Sequence, residues 1–287
     1  MSHKPLTVIH TVAELDAWRA TNPAKTVAFV PTMGALHEGH LSLVRQAREL
    51  ADLVVVSIFV NPTQFGPTED FDRYPRTLDA DQALLTGMAD VVFAPDVDEV
   101  YPGGVASTSV PKQVAGQGSE KFEGASRPGH FNGMLTVVSR LFDIVKPDVA
   151  VFGQKDAQQV FLVRQMIAAQ GRTLEFVVAP TQREADGLAL SSRNRYLSAE
   201  DRATALVMPH SIMAVAQAAP HAAAGEAREA GRRVFEQYPL AKLGYLDLVD
   251  PTTFQSVDDD YRGPAICVVA AVVGTTHLID TDNITLG

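Results

Sequence analysis

The sequence has 287 residues, and 24 lysine and arginine side chains against 34 aspartate and glutamate side chains give a formal net charge of −10. This acidic balance argues against nucleic acid as the main partner, because affinity for a phosphate backbone comes from clustered cations. Hydrophobic residues make up 46% of the chain and charged residues 20%, which is ordinary for globular proteins and excludes the disordered and fibrous classes.

The sequence also argues against a membrane or secreted protein. The longest apolar runs, residues 54–60 and 265–273, are much shorter than the roughly 18 residues that a membrane span needs. Residues Met1–Pro5 lack the charged segment followed by an apolar stretch that begins a secretory signal. The single cysteine, Cys267, cannot form an intrachain disulfide. We therefore expect a cytoplasmic protein without a membrane partner.

The first two thirds of the chain alternate short β-branched runs with amphipathic helical patterns, as a parallel α/β sheet requires. Apolar residues recur at intervals of three and four in residues 41–51 and 80–87, which predicts helices there. The strands should be apolar throughout, because helices cover both faces of such a sheet. The predicted strands are residues 26–30, 53–60, 91–94, 149–152 and 174–178. The predicted fold class is α/β, with a Rossmann-like doubly wound parallel sheet.

The amino-acid composition of the sequence changes near residue 182. Residues 199–238 are rich in Ala, Glu, Arg and Gln, which predicts two or three helices. Two strand-like runs follow, residues 245–249 and 265–273, with turn-forming residues between them. We therefore predict a first domain over residues 1–181 and a smaller α+β domain over residues 182–287.

The most informative segment is Pro31–His40, which lies where the first long strand ends and a helix begins. Ligands of open α/β sheets bind outside the carboxyl ends of the strands. Gly39 and His40 fall near a helix N-terminus, where free N–H groups favour phosphate, and His37 and His40, three residues apart, can face one anion. The alternative is that the two histidines cap the helix or bind a metal, although zinc would need further ligands that the segment lacks. The strand-to-helix context favours the phosphate role.

Two further segments supply amide and cationic groups. Asn61 and Gln64 follow the next strand, and their amides suit the hydroxyls and carboxylate of a small substrate. Lys155 follows another strand as a compact charge for phosphate, with Gln159 one helical turn later. Each could instead be an ordinary turn or surface residue, so the prediction depends on the set and on its position after strands.

Cationic loops complete the set. Residues 190–198 carry two serines and two arginines within five positions, which would make a good phosphate clamp. Arg127 lies in a loop punctuated by Gly and Pro and is followed by His130. We expect these cations to converge on one cleft of an otherwise acidic protein.

As a set, the segments resemble the pantothenate synthetase family, the pantoate:β-alanine ligases. The matching stretches fall in the order and at the spacing of that family and cover most of residues 26–198; they are residues 31–40, 58–66, 74–77, 127–131, 152–159 and 183–197. The pattern His-x-Gly-His over residues 37–40 is shared more widely by nucleotidylyltransferases and class I aminoacyl-tRNA synthetases. The conjunction with the other stretches is far more specific. Residues 199–287 match only in general character, as a small C-terminal lid domain.

The resemblance implies an ATP-dependent ligase that joins pantoate to β-alanine through a pantoyl adenylate. It also implies the site residues. The ATP site would comprise Pro31, Met33, His37, His40, Gly153, Lys155, Asp156, Ser191, Ser192 and Arg193. Among these, His37, His40, Lys155 and Arg193 would be catalytic. The substrate site would comprise Gln64 and Gln159 for pantoate, with Asn61 and Arg127 on the β-alanine and phosphate side.

The resemblance further implies Mg²⁺ bound with ATP, and a homodimer. Asp81 is the metal candidate, because some relatives place acidic magnesium ligands after the stretch that matches Tyr74–Thr77; the alternative is that ATP phosphates are the main ligands of the metal. Gln154 stands where many relatives have Glu. Two other readings stay open: a nucleotidyltransferase with a phosphorylated acceptor, and a non-catalytic nucleotide-binding regulator. The amides at Asn61 and Gln64 argue against the first, and the complete set of cations argues against the second.

Overall fold

A computed structural model describes residues 6–66 and 71–287. The prediction about a secretory signal concerns Met1–Pro5 and lies outside the described residues. Within the described ranges, none of the helices has the length and apolar character needed to cross a bilayer.

The described chain divides into two compact units. The first comprises residues up to Phe152 together with Leu162–Ala179, and the second comprises Gly153–Phe161 together with Pro180–Gly287. The sequence-based division at residues 181 and 182 assigned residues 153–161 to the first domain, whereas these residues group with the second unit.

The secondary structure follows in chain order. The strands are β1 Thr7–Ile9, β2 Val27–Thr32, β3 Leu53–Ile58, β4 Val91–Phe93, β5 Val149–Gly153, β6 Glu175–Ala179, β7 Ala241–Val249, β8 Gly263–Val273 and β9 Thr276–Leu286. The α-helices are α1 Val12–Ala20, α2 Glu38–Leu50, α3 Leu78–Leu85, α4 Val97–Val100, α5 Glu123–Ser126, α6 His130–Val145, α7 Ala157–Ala169, α8 Ala199–Thr204, α9 Val207–Ala218 and α10 Ala224–Val234.

The first unit is built on a six-stranded sheet with the order β1-β4-β3-β2-β5-β6. Neighbouring strands from β1 through to β5 run parallel. The strand order reverses between β2 and β5, and in open α/β sheets ligands bind at such a reversal. The predicted fold class is confirmed, and strand β2 leads directly into the Pro31–His40 segment.

Helices cover both faces of this sheet, which explains the uninterrupted apolar strands. Val54 and Val56 of β3 pack in a buried cluster with Val44 of α2. On the opposite face, Phe29 of β2 makes an edge-to-face contact with Phe142 of α6, with 6.3 Å between the ring centroids. A strand that is buried on both faces needs apolar residues at successive positions. The apolar runs in the sequence therefore predicted where these strands lie.

The second unit contains helices α8, α9 and α10 and a three-stranded antiparallel sheet in the order β7-β8-β9. The prediction of two or three helices over residues 199–238 is confirmed. Pro209 does not break α9, because it lies in the first helical turn, where a missing N–H costs little. Helix residues Met208 and Val215 pack with Cys267 and Val269 of β8 in one buried cluster.

Candidate active site

The turn after strand β2 reverses the chain through two successive residues with positive φ. Gly34 has φ +80° and Ala35 has φ +52°. A Cβ atom on Gly34 would lie 3.0 Å from Ile58 Cγ2, so glycine is needed for the close approach as well as for the backbone conformation. Pro31 and Met33 are partly exposed beside this turn. The turn thereby sets where helix α2 and its histidines begin.

His37 and His40 cap helix α2 reciprocally. His37 is the N-cap residue, and its Nδ1 accepts a hydrogen bond from the backbone N–H of Gly39 at 3.2 Å. In return, Nδ1 of His40 accepts one from the backbone N–H of His37 at 3.3 Å. An accepting ring nitrogen carries no proton, so the neutral rings carry theirs on Nε2. The predicted alternative of helix capping is therefore observed, and it leaves each ring with an Nε2–H donor.

Gln64 brings the predicted substrate amides together with the Pro31–His40 segment. Gln64 is 9% exposed, and its Nε2 donates to Met33 Sδ at 3.1 Å. Its Oε1 accepts from Asn61 Nδ2 at 3.1 Å. Asn61, Gln64 and Met33 thus form one contiguous group within the first unit.

The side chain of Asn61 is held entirely by protein groups. Asn61 is 1% exposed, and its Nδ2 also donates to the Gly133 carbonyl at 3.2 Å. Its Oδ1 accepts from Tyr101 Oη at 2.9 Å and from Thr63 Oγ1 at 3.0 Å. Burial raises the pKa of the Tyr101 phenol, and a hydrogen bond with Thr63 opposes that rise, so the phenol stays protonated and donates at neutral pH.

Arg127 and His130 contact the same group from the N-terminal end of α6. His130 Nδ1 lies 2.8 Å from the backbone carbonyl of Gln64, and Arg127 Nη1 lies 3.1 Å from His130 Nε2. Because a carbonyl only accepts and a guanidinium only donates, His130 donates through Nδ1 and accepts through Nε2. Arg127 Nη2 also donates to the Gln64 carbonyl at 3.4 Å. Arg127 is thereby joined to Gln64.

Asp81 lies on α3 and contacts the turn that precedes His37. It is 1% exposed, and its carboxylate accepts hydrogen bonds from the backbone N–H groups of Ala35 at 3.0 Å and Leu36 at 2.8 Å. Across residues 6–66 and 71–287, no group of three or more His, Cys, Asp or Glu side chains could hold a metal ion. The surroundings of Asp81 do not fit the predicted role of metal ligand, because its oxygens face protein donors.

In the second unit, the predicted nucleotide residues follow strand β5 in a short 3-10 helix, Gln154–Asp156. Strand β9 holds this segment, because Thr281 Oγ1 donates to the Gln154 carbonyl at 2.8 Å. Gln154 Nε2 also donates to Asn283 Oδ1 at 3.4 Å. Lys155 and Asp156 form an ion pair at 3.4 Å, and Gly153 and Gln159 are partly exposed beside them.

The serine and arginine loop of the second unit is also ordered by its own residues. Ser191 Oγ accepts from the backbone N–H of Arg193 at 3.3 Å and caps the 3-10 helix Ser192–Tyr196. Asn194 donates to the Ala189 carbonyl at 3.1 Å and fixes the loop to the preceding hairpin. Ser191, Ser192 and Arg193 are partly exposed on this loop.

The predicted site residues therefore fall into two groups, one in each unit. The first unit carries Pro31, Met33, His37, His40, Asn61, Gln64, Asp81 and Arg127. The second unit carries Gly153, Lys155, Asp156, Gln159, Ser191, Ser192 and Arg193. Sequence reasoning missed Tyr101, which lies 40 positions from Asn61 and carries no local motif, and it did not give His130 a role.

Comparison with known proteins decides the family. The family model described as pantoate-beta-alanine ligase matches residues 7–284. The chain belongs to this family. The predicted family and enzyme class are thereby confirmed: the chain is an ATP-dependent pantoate–β-alanine ligase.

Relatives and solved structures agree along nearly the full chain. Pantothenate synthetase of Leifsonia xyli subsp. xyli is 57% identical over 92% of this chain and 91% of its own length, and that of Thermobifida fusca is 50% identical over 99% and 98%. A crystal structure of pantothenate synthetase from Thermus thermophilus aligns with TM-score 0.89 and 46% identity, over 96% of this chain and 98% of that one. The ligase from Francisella tularensis, complexed with beta-gamma ATP and beta-alanine, aligns with TM-score 0.78 and 33% identity, over 96% and 97%.

Proposed function

We propose that this chain condenses pantoate with β-alanine in two steps, with the site residues of each unit in the roles given below. In the first step, a carboxylate oxygen of pantoate attacks the α-phosphorus of ATP, and the bond to pyrophosphate breaks. In the second step, the neutral amine of β-alanine attacks the activated carbonyl, and AMP leaves with formation of pantothenate. A carboxylate needs no general base, so catalysis consists of positioning and stabilisation of developing charge.

In the first unit, His37 and His40 donate Nε2–H groups to the ATP phosphates, while Pro31 and Met33 line the nucleotide. Gln64 binds pantoate through its amide. Asn61, predicted to contact substrate, acts instead through Gln64, because its own hydrogen-bonding capacity is used within the protein. Arg127 supplies positive charge on the β-alanine and phosphate side.

In the second unit, Lys155 and Arg193 supply cations for the phosphates. Ser191 and Ser192 add hydroxyl donors, and Gly153 and Asp156 contact the nucleotide. Gln159 contributes a second amide for pantoate. The ion pair between Lys155 and Asp156 supports this assignment, because it holds the lysine side chain, which is 19% exposed, at the start of α7.

The observation that carries the proposal is the contact between Gln64 Nε2 and Met33 Sδ. It joins an amide suited to the hydroxyls and carboxylate of pantoate to the segment whose histidines suit ATP phosphates. Reaction between a carboxylate and the α-phosphorus requires these two kinds of group side by side.

Three broader features belong to the proposal. Mg²⁺ would bind with ATP through phosphate oxygens and supply charge neutralisation, since the described residues do not form a cage for it. We also propose a homodimer, which light scattering at several protein concentrations would test. The cytoplasm is the proposed location, and fluorescent tagging of the full chain would test it.

The reaction is tested by measuring pyrophosphate and AMP with purified protein. We expect both products from ATP only when pantoate is present, and pantothenate only when β-alanine is added. The variants His40→Ala and Lys155→Ala should lower turnover about 100-fold or more, because each removes a donor to the phosphates. His221→Ala and Lys242→Ala change the same residue types at exposed positions of the second unit and serve as controls.

Two results would contradict the proposal. AMP formation that is indifferent to pantoate would contradict the substrate assignment. Turnover of His40→Ala and Lys155→Ala equal to that of their controls would contradict the phosphate roles.

A further inference from the structure

Asp81 is a buried acid that the ligase chemistry does not use directly. Its Oδ1 accepts from Leu36 N–H at 2.8 Å, and its Oδ2 accepts from Ala35 N–H at 3.0 Å and from Thr77 Oγ1 at 3.1 Å. Two successive backbone amides that point at one anion form a nest, an arrangement that binds negative charge. In this protein the nest is filled by a side chain of the protein itself.

The turn that presents these amides needs such a partner. Gly34 and Ala35 have φ angles of +80° and +52°, and an alanine rarely adopts the left-handed conformation. The turn is also crowded, because a Cβ atom on Gly34 would lie 3.1 Å from Asp81 Oδ2. Strained backbone persists only where surrounding contacts hold it, and the carboxylate of Asp81 provides two such contacts.

The next residue after the nest is His37, the N-cap of α2. Leu36 donates to Asp81 through its N–H, and the reciprocal cap between His37 and His40 begins one residue later. A shift of the turn therefore changes the position of both rings. We propose that Asp81 is a positioning residue, which fixes the turn so that the Nε2–H groups of His37 and His40 are aimed for the adenylation step. This inference rests on the proposed function.

The same contacts distinguish positioning from metal binding. Mg²⁺ demands nearly ideal octahedral geometry and usually keeps several waters, so a protein ligand must present an accessible oxygen. Asp81 is 1% exposed, and both of its oxygens face N–H or O–H donors. A role in positioning predicts that loss of Asp81 disturbs the histidines even when neither metal nor nucleotide is present.

The variant Asp81→Asn tests this inference, with Asp79→Asn as the matched control. Asn removes the charge at nearly constant shape and places an NH₂ group where the nest needs an acceptor. Asp79 lies two residues earlier on α3 with an exposed side chain, so its variant loses the same charge. Thr77→Val is a milder third variant, because it removes one donor to Asp81 and leaves the carboxylate in place.

Two measurements are needed: steady-state pyrophosphate release as a function of Mg²⁺ concentration, and NMR of the histidine rings in the absence of metal and nucleotide. We expect Asp81→Asn to lower kcat at least tenfold, with an unchanged Mg²⁺ concentration for half-maximal rate. We also expect shifted resonances of His37 and His40, assigned with single His→Gln variants. Thr77→Val should shift the same resonances by less, and Asp79→Asn should leave them unchanged.

Other outcomes would overturn the inference. Restoration of the Asp81→Asn rate by high Mg²⁺ would identify Asp81 as a metal ligand. Unshifted histidine resonances in both Asp81→Asn and Thr77→Val would show that Asp81 does not position the rings; if Asp81→Asn does not fold, Thr77→Val decides alone. If the wild-type protein releases no pyrophosphate in response to pantoate, the proposed function is wrong. The NMR measurement would still test whether Asp81 positions the two histidine rings.

Discussion

At the scale of single residues, the amide of Asn61 shows how a buried hydrogen-bond network can set the orientation of a neighbouring side chain. That side chain is Gln64, the proposed ligand of pantoate. An amide has an oxygen end and a nitrogen end of similar shape, so only its hydrogen bonds decide which way it points. Tyr101 and Thr63 donate to Oδ1 of Asn61, which directs its Nδ2 towards Oε1 of Gln64. The Nε2 of Gln64 then points towards Met33. The hydroxyls of Tyr101 and Thr63 therefore orient two amides in series.

We predict that Tyr101→Phe raises the KM for pantoate and leaves the KM for ATP unchanged. The variant removes one hydrogen bond, worth about 1 kcal/mol, so a rise of roughly fivefold is expected. Initial rates at varied pantoate and at varied ATP measure the two constants. Tyr238→Phe is the control, because it removes a phenol that contacts His210 at 2.7 Å in the second unit. Equal KM values for pantoate in wild type and Tyr101→Phe would refute this prediction.

At the scale of elements, the turn after β7 depends on a single carboxylate. Asp250 accepts hydrogen bonds from the backbone N–H groups of Thr252 at 2.7 Å and Thr253 at 2.9 Å. The hydroxyl of Thr252, which also donates to this carboxylate, is the main cause that lowers the pKa of Asp250 to about 2, and the two backbone N–H groups add to it. A carboxylate with a lowered pKa in the folded state stabilises that state only while it is ionised.

We predict that Asp250 contributes stability above pH 4 and that this contribution is lost as the pH falls from about 4 to about 2. Its contribution should be about 1 kcal/mol, since the turn lies at the surface and solvent weakens the effect. Thermal unfolding at several pH values measures it as the difference between wild type and Asp250→Asn. The difference in stability between wild type and Asp250→Asn should shrink in acid. Asp258→Asn, at an exposed position nearby, should be as stable as wild type at every pH. A difference that stays constant between about pH 6 and about pH 2 would contradict the prediction.

At the scale of the whole molecule, the second unit contains a buried ion pair within its own fold. Asp280 of β9 is 1% exposed, and Arg183 binds it through Nη1 at 2.6 Å and Nη2 at 3.1 Å. Burial raises the pKa of Asp280, and the hydrogen bonds and charge of Arg183 oppose that rise. Removal of one partner from such a pair leaves an uncompensated buried charge.

We predict that Arg183→Met lowers the free energy of unfolding by about 3–5 kcal/mol. Replacement of both partners, in Arg183→Met with Asp280→Leu, should recover most of the loss, because no buried charge remains. Denaturant titrations followed by far-UV circular dichroism measure both effects. Trp18, the single tryptophan of the sequence, lies in α1 of the first unit, and its native fluorescence shows that this unit is folded in each variant. A double variant no more stable than Arg183→Met would contradict the argument.

The sequence predicted the elements whose signal is local. Strands β2 to β5 were found because strands buried on both faces are continuous apolar runs, whereas the edge strand β6 is only partly buried and was found from its own short apolar run. Strand β1 has only three residues, and β9 mixes charged and polar residues with apolar ones, so neither was found. Helix α6 was not predicted, although its apolar residues recur at helical intervals as those of α2 do. Helix α2 begins at Glu38, three residues before the predicted start, because His37 caps it.

The candidate site divides in the same way. The residue types that suit phosphate and small polar substrates could be read from motifs, and the motifs of His37, Asn61 and Lys155 follow strands β2, β3 and β5. The contacts that hold them could not be read, because they join distant positions: Asp81 lies 46 residues from Ala35, and Tyr101 lies 40 residues from Asn61. A local sequence pattern carries no information about such pairs. The hydrogen bonds that hold the site residues in place are therefore seen only in the structure.

The reciprocal cap of His37 and His40 has a consequence for how anions are recognised. Each Nδ1 is an acceptor for a backbone N–H, so protonation of either ring at Nδ1 would remove a cap from helix α2. While the cap is intact, both imidazoles are electrically neutral. In the phosphate role proposed for them, the histidines would act as dipolar N–H donors, as a backbone amide does, and would add no net charge to the first unit. In that role, the countercharge for a triphosphate would come from guanidinium and ammonium groups together with Mg²⁺, and acid that charges the rings would loosen the first turn of α2.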